Sequence, residues 1–213
     1  MFSEKVVDKS SSYGWIEVIT GSMFSGKTEE LIRRLNRAII AKKKVKIFKP
    51  EVDSRYDKNK VVSHDSNEIN STVISSSLEI VKLSKGFDVV GIDEAQFFDE
   101  GIVHVCNELA NSGIRVVVAG LDMDFKGKPF GPMPKLMAVA EYVTKVHAIC
   151  SKTGRLANYS FRKKNNDSLV MLGESDEYEP LSRESFFKAI ISDNARKINV
   201  TIEEVLPKKP SNR

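Results

Sequence analysis

The sequence predicts an α/β fold, a parallel β-sheet with helices packed on both faces. Runs that are apolar almost without interruption (Trp15–Thr20, Val45–Phe48, Phe87–Ile92, Ile114–Gly120 and Tyr142–Ile149) alternate with stretches of helical period. Strands that are apolar on both sides suit a sheet covered by helices, whereas a half-exposed sheet would alternate polar and apolar residues. The first strand also runs directly into Gly21-Ser22-Met23-Phe24-Ser25-Gly26-Lys27-Thr28, which fits G-x-x-x-x-G-K-[ST]. A helical pattern follows it: Leu31, Ile32, Leu35, Ala38 and Ile39. Strand, glycine loop and helix together aim backbone N–H groups at a polyphosphate. The predicted architecture is therefore a P-loop (RecA-like) parallel sheet.

The elements fall in order from there. Residues 1–13 are polar and are expected to form a flexible N-terminus. The helix after Lys27 ends in the basic run Lys42, Lys43, Lys44 and Lys46, read as a solvated face that complements the helix dipole. Val45–Phe48 is a strand closed by Lys49-Pro50. The polar stretch from Glu51 to Asn70 is too long for an ordinary connection, which predicts a functional or mobile loop. A short strand at Thr72–Ile74 and a helix over Leu78–Leu83 follow. Phe87–Ile92 then runs into Asp93 and Glu94. Ile102, Val103, Cys106 and Leu109 share one helical face, which makes Cys106 a core residue, and Gly113 is a natural stop. After Ile114–Gly120, a Gly- and Pro-rich loop leads to a helix through Leu136 and Val139, and Tyr142–Ile149 reads as a last strand. Residues 14–149 thus form the sheet domain. Residues 150–192 turn polar and form a small second unit, and 193–213 is a tail.

Composition narrows the function. The chain has 213 residues, 41% hydrophobic and 29% charged, and a net charge of +4. Lys208, Lys209 and Arg213 supply +3 of that, so the body is near neutral and bulk charge gives no case for nucleic-acid binding. Two cysteines, Cys106 and Cys150, suit a reducing compartment. The first residues lack the apolar run of a signal peptide, and no stretch reaches membrane-spanning length. A cytoplasmic protein without a membrane partner is expected.

The motifs point to phosphoryl transfer. Lys27 would reach the β- and γ-phosphates of ATP, and the Thr28 hydroxyl would hold Mg²⁺. Asp93, at the end of an apolar strand, would support the Mg²⁺ shell. Glu94 can accept a proton from an attacking hydroxyl or water. The acceptor stays open at this level. Asp93-Glu94-Ala95-Gln96 resembles the acidic box of nucleic-acid-dependent ATPases, but those motors use two such lobes. The other reading is a small-molecule kinase. Phe97, Phe98, Phe125 and Phe130, with Met23, would gather at the carboxyl edge as an apolar wall suited to a flat base.

Several motifs occur together in one order: Gly21–Thr28, Asp53-Ser54-Arg55-Tyr56, Ser63-His64-Asp65, Asp93-Glu94-Ala95-Gln96-Phe97-Phe98, Gly120-Leu121-Asp122-Met123-Asp124-Phe125 and Pro129-Phe130-Gly131. From about residue 14 to 192 the chain resembles the cytosolic, bacterial-type thymidine kinases. The resemblance implies ATP-dependent phosphorylation of the 5′-hydroxyl of thymidine, or deoxyuridine, in nucleotide salvage. It implies Glu94 as general base, Asp93 in the Mg²⁺ shell, Gln96 on the nucleotide side and Arg55 as a charge-stabilising arginine on a mobile loop. It places Met23, Phe97, Leu121, Phe125, Phe130, Ser160, the loop Leu169-Val170-Met171-Leu172-Gly173 and Tyr178 around the nucleoside. A homotetramer is implied as well, and the small unit becomes a lasso or lid domain.

The chain departs from the family at its usual zinc site. The matching positions are Cys150, Thr153, Ser182 and Ser185, and neutral hydroxyls are poor zinc ligands. No structural zinc is expected. Packing of Phe161, Leu181, Phe186 and Phe187, with hydroxyl hydrogen bonds, is expected to hold the unit in its place.

Overall fold

A computed structural model of the chain describes residues 13–51, 60–62, 68–163 and 177–193. The strands are β1 (Trp15–Thr20), β2 (Val45–Pro50), β3 (Lys60–Val62), β4 (Glu68–Asn70), β5 (Thr72–Ile74), β6 (Val89–Ile92), β7 (Arg115–Gly120), β8 (Tyr142–Lys145), β9 (Ala148–Ile149), β10 (Leu156–Ala157), β11 (Tyr159–Arg162) and β12 (Tyr178–Leu181). The helices are α1 (Lys27–Ile40), α2 (Leu78–Leu83), α3 (Gly101–Asn111), α4 (Met133–Val139) and α5 (residues 183–193).

Six strands form one sheet in the order β5-β2-β6-β7-β1-β8, and every pairing in it is parallel. The predicted α/β class is what the chain adopts. The two-residue period of the strands sorts their side chains between two cores. Ile16, Val18, Phe48, Val90, Ile92, Val116 and Val118 face α2, α3 and α4, where Ile80, Ile102, Val105, Cys106, Leu109, Met133 and Leu136 meet them. Ile19, Ile47, Val89, Val117 and Ala119 face Leu31, Ile32, Leu35 and Ala38 of α1. Cys106 is fully buried, and burial pushes its thiol up to about 12, as befits a packing residue.

One side chain of β1 breaks the apolar pattern. Glu17 points toward α1 and is wholly buried, as is Arg34. Its carboxylate takes Arg34 Nη1 at 2.8 Å, Arg115 Nε at 2.7 Å and Trp15 Nε1 at 2.7 Å. Arg34 continues to Glu30 at 2.8 Å and donates to Thr144 Oγ1 at 3.0 Å. A buried charge persists only when paired and hydrogen-bonded in this way. The network ties α1 to three strands just below the phosphate loop.

Three expectations need correction. Tyr142–Ile149 is not one strand. Val146 N–H donates to Thr20 O at 2.8 Å, which caps β1, and the chain then leaves the sheet to pair β9 with β10 in antiparallel fashion. The polar stretch 51–70 contains the antiparallel pair β3–β4, which polar residues concealed. The small unit contains the helix α5, where only short apolar pieces were foreseen.

Beyond Lys145 the chain builds a third core from Ala148, Cys150, Ala157, Tyr159, Leu181 and Phe186, with Phe24, Met123 and Phe161 packed against it. Tyr159 stacks on Phe186 at 4.4 Å. Leu181 and Phe186 are buried as expected. Phe187 is 48% exposed and adds only ring-edge contacts, so Tyr159 fills the place foreseen for it. Among the described residues no helix is long and apolar enough to cross a membrane.

Candidate active site

The loop after β1 is shaped by backbone more than by side chains. Gly21 lies against β8's exit, where an added Cβ would stand 2.1 Å from Val146 O. Phe24 (φ 62°) and Gly26 (φ 82°) adopt left-handed conformations that curl the loop before α1 starts at Lys27. Lys27 Nζ reaches back across the loop to Ser22 O at 2.8 Å, and Ser25 Oγ donates to the same carbonyl at 2.7 Å. Ser22 is buried, and the other loop residues from Met23 to Thr28 are half-exposed. A curled loop at a helix N-terminus, with a lysine laid across it, is built to receive an anion.

The next strand but one in the sheet brings the carboxylates. Asp93 leaves the end of β6, is nearly buried, and lies 3.4 Å from Thr28 Oγ1 through its Oδ2. A hydroxyl and a carboxylate converging beside a phosphate-type loop are hard oxygen donors, and they fit a magnesium ion. Glu94 has φ 50°, a strained conformation for a residue with a side chain. Its N–H donates to Asp93 Oδ1 at 3.0 Å, its carbonyl accepts Phe97 N–H at 3.1 Å, and its carboxylate receives Gln96 Nε2. Gln96 is buried, and its other end, Oε1, accepts Leu121 N–H at 2.9 Å. An N–H can meet only the oxygen of an amide, which leaves the amide nitrogen facing Glu94. Gln96 therefore links the glutamate to the loop after β7.

That loop forms an aromatic wall. Asp124 Oδ1 accepts the N–H groups of Lys126 and Lys128 at 2.8 and 2.9 Å, closing a tight turn that presents Phe125. Phe130 N–H donates to Asp122 O, and the Phe130 ring meets Phe97 edge-on at 5.6 Å. The small unit adds the opposite side. Ser160 Oγ accepts Met23 N–H at 2.9 Å, and Ser22 Oγ donates to Ala157 O at 3.3 Å, so β10 and β11 grip the phosphate loop itself. Ser160, foreseen near the nucleoside, is thus bonded to the loop backbone.

The structure brings Thr28 to Asp93, Glu94 to Gln96 and Leu121, Phe97 to Phe130, and Met23 to Ser160. Arg55 and Leu169–Gly173 lie outside the described residues. Two groups beside the site have no role in the sequence reading. Asp122, buried with Oδ2 on Lys145 Nζ at 2.6 Å, pins the loop after β7 to the end of β8. Arg162 is buried with its guanidinium 3.7 Å from the centre of the Phe125 ring. Asp122 lies within the Gly120–Phe125 motif, which gave it no role, and Arg162 lies in none. Only the parallel order of β7, β1 and β8, and the β11–β12 pairing, makes them neighbours of the site.

The four positions matched to zinc do come together. Ser182 Oγ and Ser185 Oγ are 3.1 Å apart, and Cys150 Sγ is 3.7 Å from Ser185 Oγ. Burial raises the Cys150 thiol, but hydrogen bonds from Thr153, the Ser182 and Lys152 backbone and Ser185 outweigh it and bring it down to about 6. These residues do not fit zinc: there is one thiol, and the hydroxyls already satisfy one another. Among the described residues no group of three His, Cys, Asp or Glu is placed to hold a metal.

Comparison with known proteins identifies the family. The sequence profile of the family described as thymidine kinase matches residues 14–186. A thymidine kinase of Bacteroides fragilis (strain YCH46) is 58% identical over 196 residues, covering 92% of this chain and 98% of that protein. One from Bacteroides thetaiotaomicron is 60% identical over 189 residues, 89% of this chain and 95% of its own. One from Rhodothermus sp. (strain ITI 518) is 56% identical over 181 residues, 85% of each. A family match over residues 14–186 and relatives alike along nearly the whole chain place it in the thymidine kinase family.

Proposed function

We propose that the chain transfers the γ-phosphoryl group of ATP to the 5′-hydroxyl of thymidine. The observation that carries this reading is the bonded chain Thr28–Asp93–Glu94–Gln96–Leu121, which runs from the phosphate loop to the aromatic wall. A catalyst of phosphoryl transfer mainly positions the reactants and offsets charge. Here one continuous set of bonds relates both substrates.

The loop N–H groups and Lys27 would bind the polyphosphate, with Lys27 exchanging Ser22 O for a phosphate oxygen. Magnesium would be held by Thr28 and the shell around Asp93, and when bound it offsets phosphate charge. Glu94, oriented by Gln96, accepts the proton of the 5′-hydroxyl. The hydroxyl oxygen then bonds to the γ-phosphorus as the bond to the bridging oxygen breaks, and ADP leaves. Arg55 would offset charge on the moving phosphoryl group. Phe97, Phe125 and Phe130 would pack on the base, and backbone groups of Leu169–Gly173 would read its edge. Residues 150–192 act as a lid over the 14–149 domain.

The test is a coupled assay of ADP formation with thymidine, deoxycytidine or single-stranded DNA as acceptor. Thymidine alone should drive turnover. ADP release that rises with DNA and ignores thymidine would replace this reading with a nucleic-acid-dependent ATPase.

A further inference from the structure

We infer that Arg162 is a positioning residue for the acceptor nucleoside, setting the spacing of Phe125 and Tyr178; this rests on the thymidine kinase reading above. Arg162 lies on β11 with Tyr178 opposite it in the β11–β12 register. Its Nε and Nη2 both donate to Tyr178 Oη, at 3.0 and 2.7 Å. The flat face of the same guanidinium covers the Phe125 ring at 3.7 Å. The residue is only 7% exposed. A guanidinium uses its edge for directed hydrogen bonds and its face for an aromatic ring at the same time, which an ammonium cannot do. Phe125 belongs to the loop after β7 and Tyr178 to the small unit, so one side chain sets the spacing between them.

The two bonds also fix the chemistry of the phenol. A tyrosine hydroxyl has two acceptor positions and one hydrogen. With both acceptor positions engaged by Arg162, any further hydrogen bond of the Tyr178 hydroxyl is one that it donates. Arg162 thereby defines the position of the phenol relative to Phe125, without being a group that reacts.

The prediction is a selective loss. Arg162→Lys keeps the charge but removes the plane and the fork, and should raise KM for thymidine about tenfold. KM for ATP and kcat should stay within about threefold, since the phosphate loop and Glu94 are held by other bonds. Phe125→Leu, which leaves Arg162 in place, should give the same pattern. Combined with Arg162→Lys it should add less than its separate effect, because both variants break one contact. The whole chain is assayed, with a melting curve for each variant.

An unchanged thymidine KM in either folded variant would overturn the inference, as would equal rises in both KM values or full additivity of the two. If Arg162→Lys fails to fold, Phe125→Leu and Tyr178→Phe supply the same cycle. Absence of thymidine phosphorylation in the unaltered chain would instead remove the reading beneath it, so the two failures are distinct.

Discussion

The phosphate end and the small unit of this molecule are ordered in opposite ways. At the phosphate end, residues close in sequence do most of the work: Gly21, Phe24 and Gly26 set the loop by their own backbone conformations, and Lys27 closes it onto Ser22. In the small unit almost every holding contact is long-range. Ser160 reaches Met23 across 137 positions, Arg162 stacks on Phe125, and Cys150 meets Ser185 across 35. The first region carries its geometry as a motif. The second borrows geometry from the first, since its core includes Phe24 and Met123. A change at the phosphate end should therefore act on chemistry, and a change in the small unit should act on how the acceptor is held.

The largest effect expected is at Glu94. Glu94→Gln removes the proton acceptor and keeps the size of the side chain. Its kcat for thymidine should fall by roughly 10² or more, with ATP binding retained. Nucleotide titration alongside a steady-state assay checks both halves. Retained turnover would assign the proton to another base, and loss of ATP binding would mean that Glu94 supports the loop rather than the chemistry.

The junction between the two regions comes next. Ser160→Ala leaves Met23 N–H without its acceptor. A stranded, partly buried N–H costs roughly 1 kcal/mol, equivalent to about fivefold in an equilibrium. Because the bond spans both regions, KM for ATP and KM for thymidine should rise together by about that factor, with kcat little altered. This contrasts with Arg162→Lys, which should move thymidine alone. A Ser160→Ala enzyme with only one KM displaced would show that the grip of β11 on the loop is not shared between the sites.

How much was legible in the sequence follows the same division. The buried strands, the phosphate loop and the carboxylates at the end of β6 could be read directly, because apolar runs and an eight-residue motif are local signals. Glu17 could not. A glutamate inside an apolar strand becomes intelligible only when Arg34 and Arg115, 17 and 98 positions away, are seen to neutralise it. Arg162 sits in Phe161-Arg162-Lys163-Lys164, a run that reads as a solvated charge cluster until β12 is paired beside it. The link that Gln96 makes between Glu94 and Leu121 is not legible either, since it joins the turn after β6 to the loop after β7 across 25 positions. The splitting of Tyr142–Ile149 was hidden for a related reason. Its apolar pattern is continuous, and only the bond from Val146 to Thr20 ends the sheet there.

The smallest expected effect tests what holds together the four positions matched to zinc in the small unit. Zinc would need several thiolates or imidazoles at one point, and Cys150 supplies the one thiol among the four converging positions. Ser182, Ser185 and Cys150 form a hydrogen-bonded knot near the Tyr159–Phe186 stack. Purified protein should contain far less than one zinc per chain, and its melting temperature should not move when a zinc-selective chelator is added with magnesium kept in excess. Ser185→Ala, which breaks the knot, should lower the melting temperature by a few degrees, the scale of about 1 kcal/mol in a chain of this size. Stoichiometric zinc, or a chelator effect larger than that of Ser185→Ala, would mean that a metal rather than the hydroxyl knot closes the small unit over the acceptor.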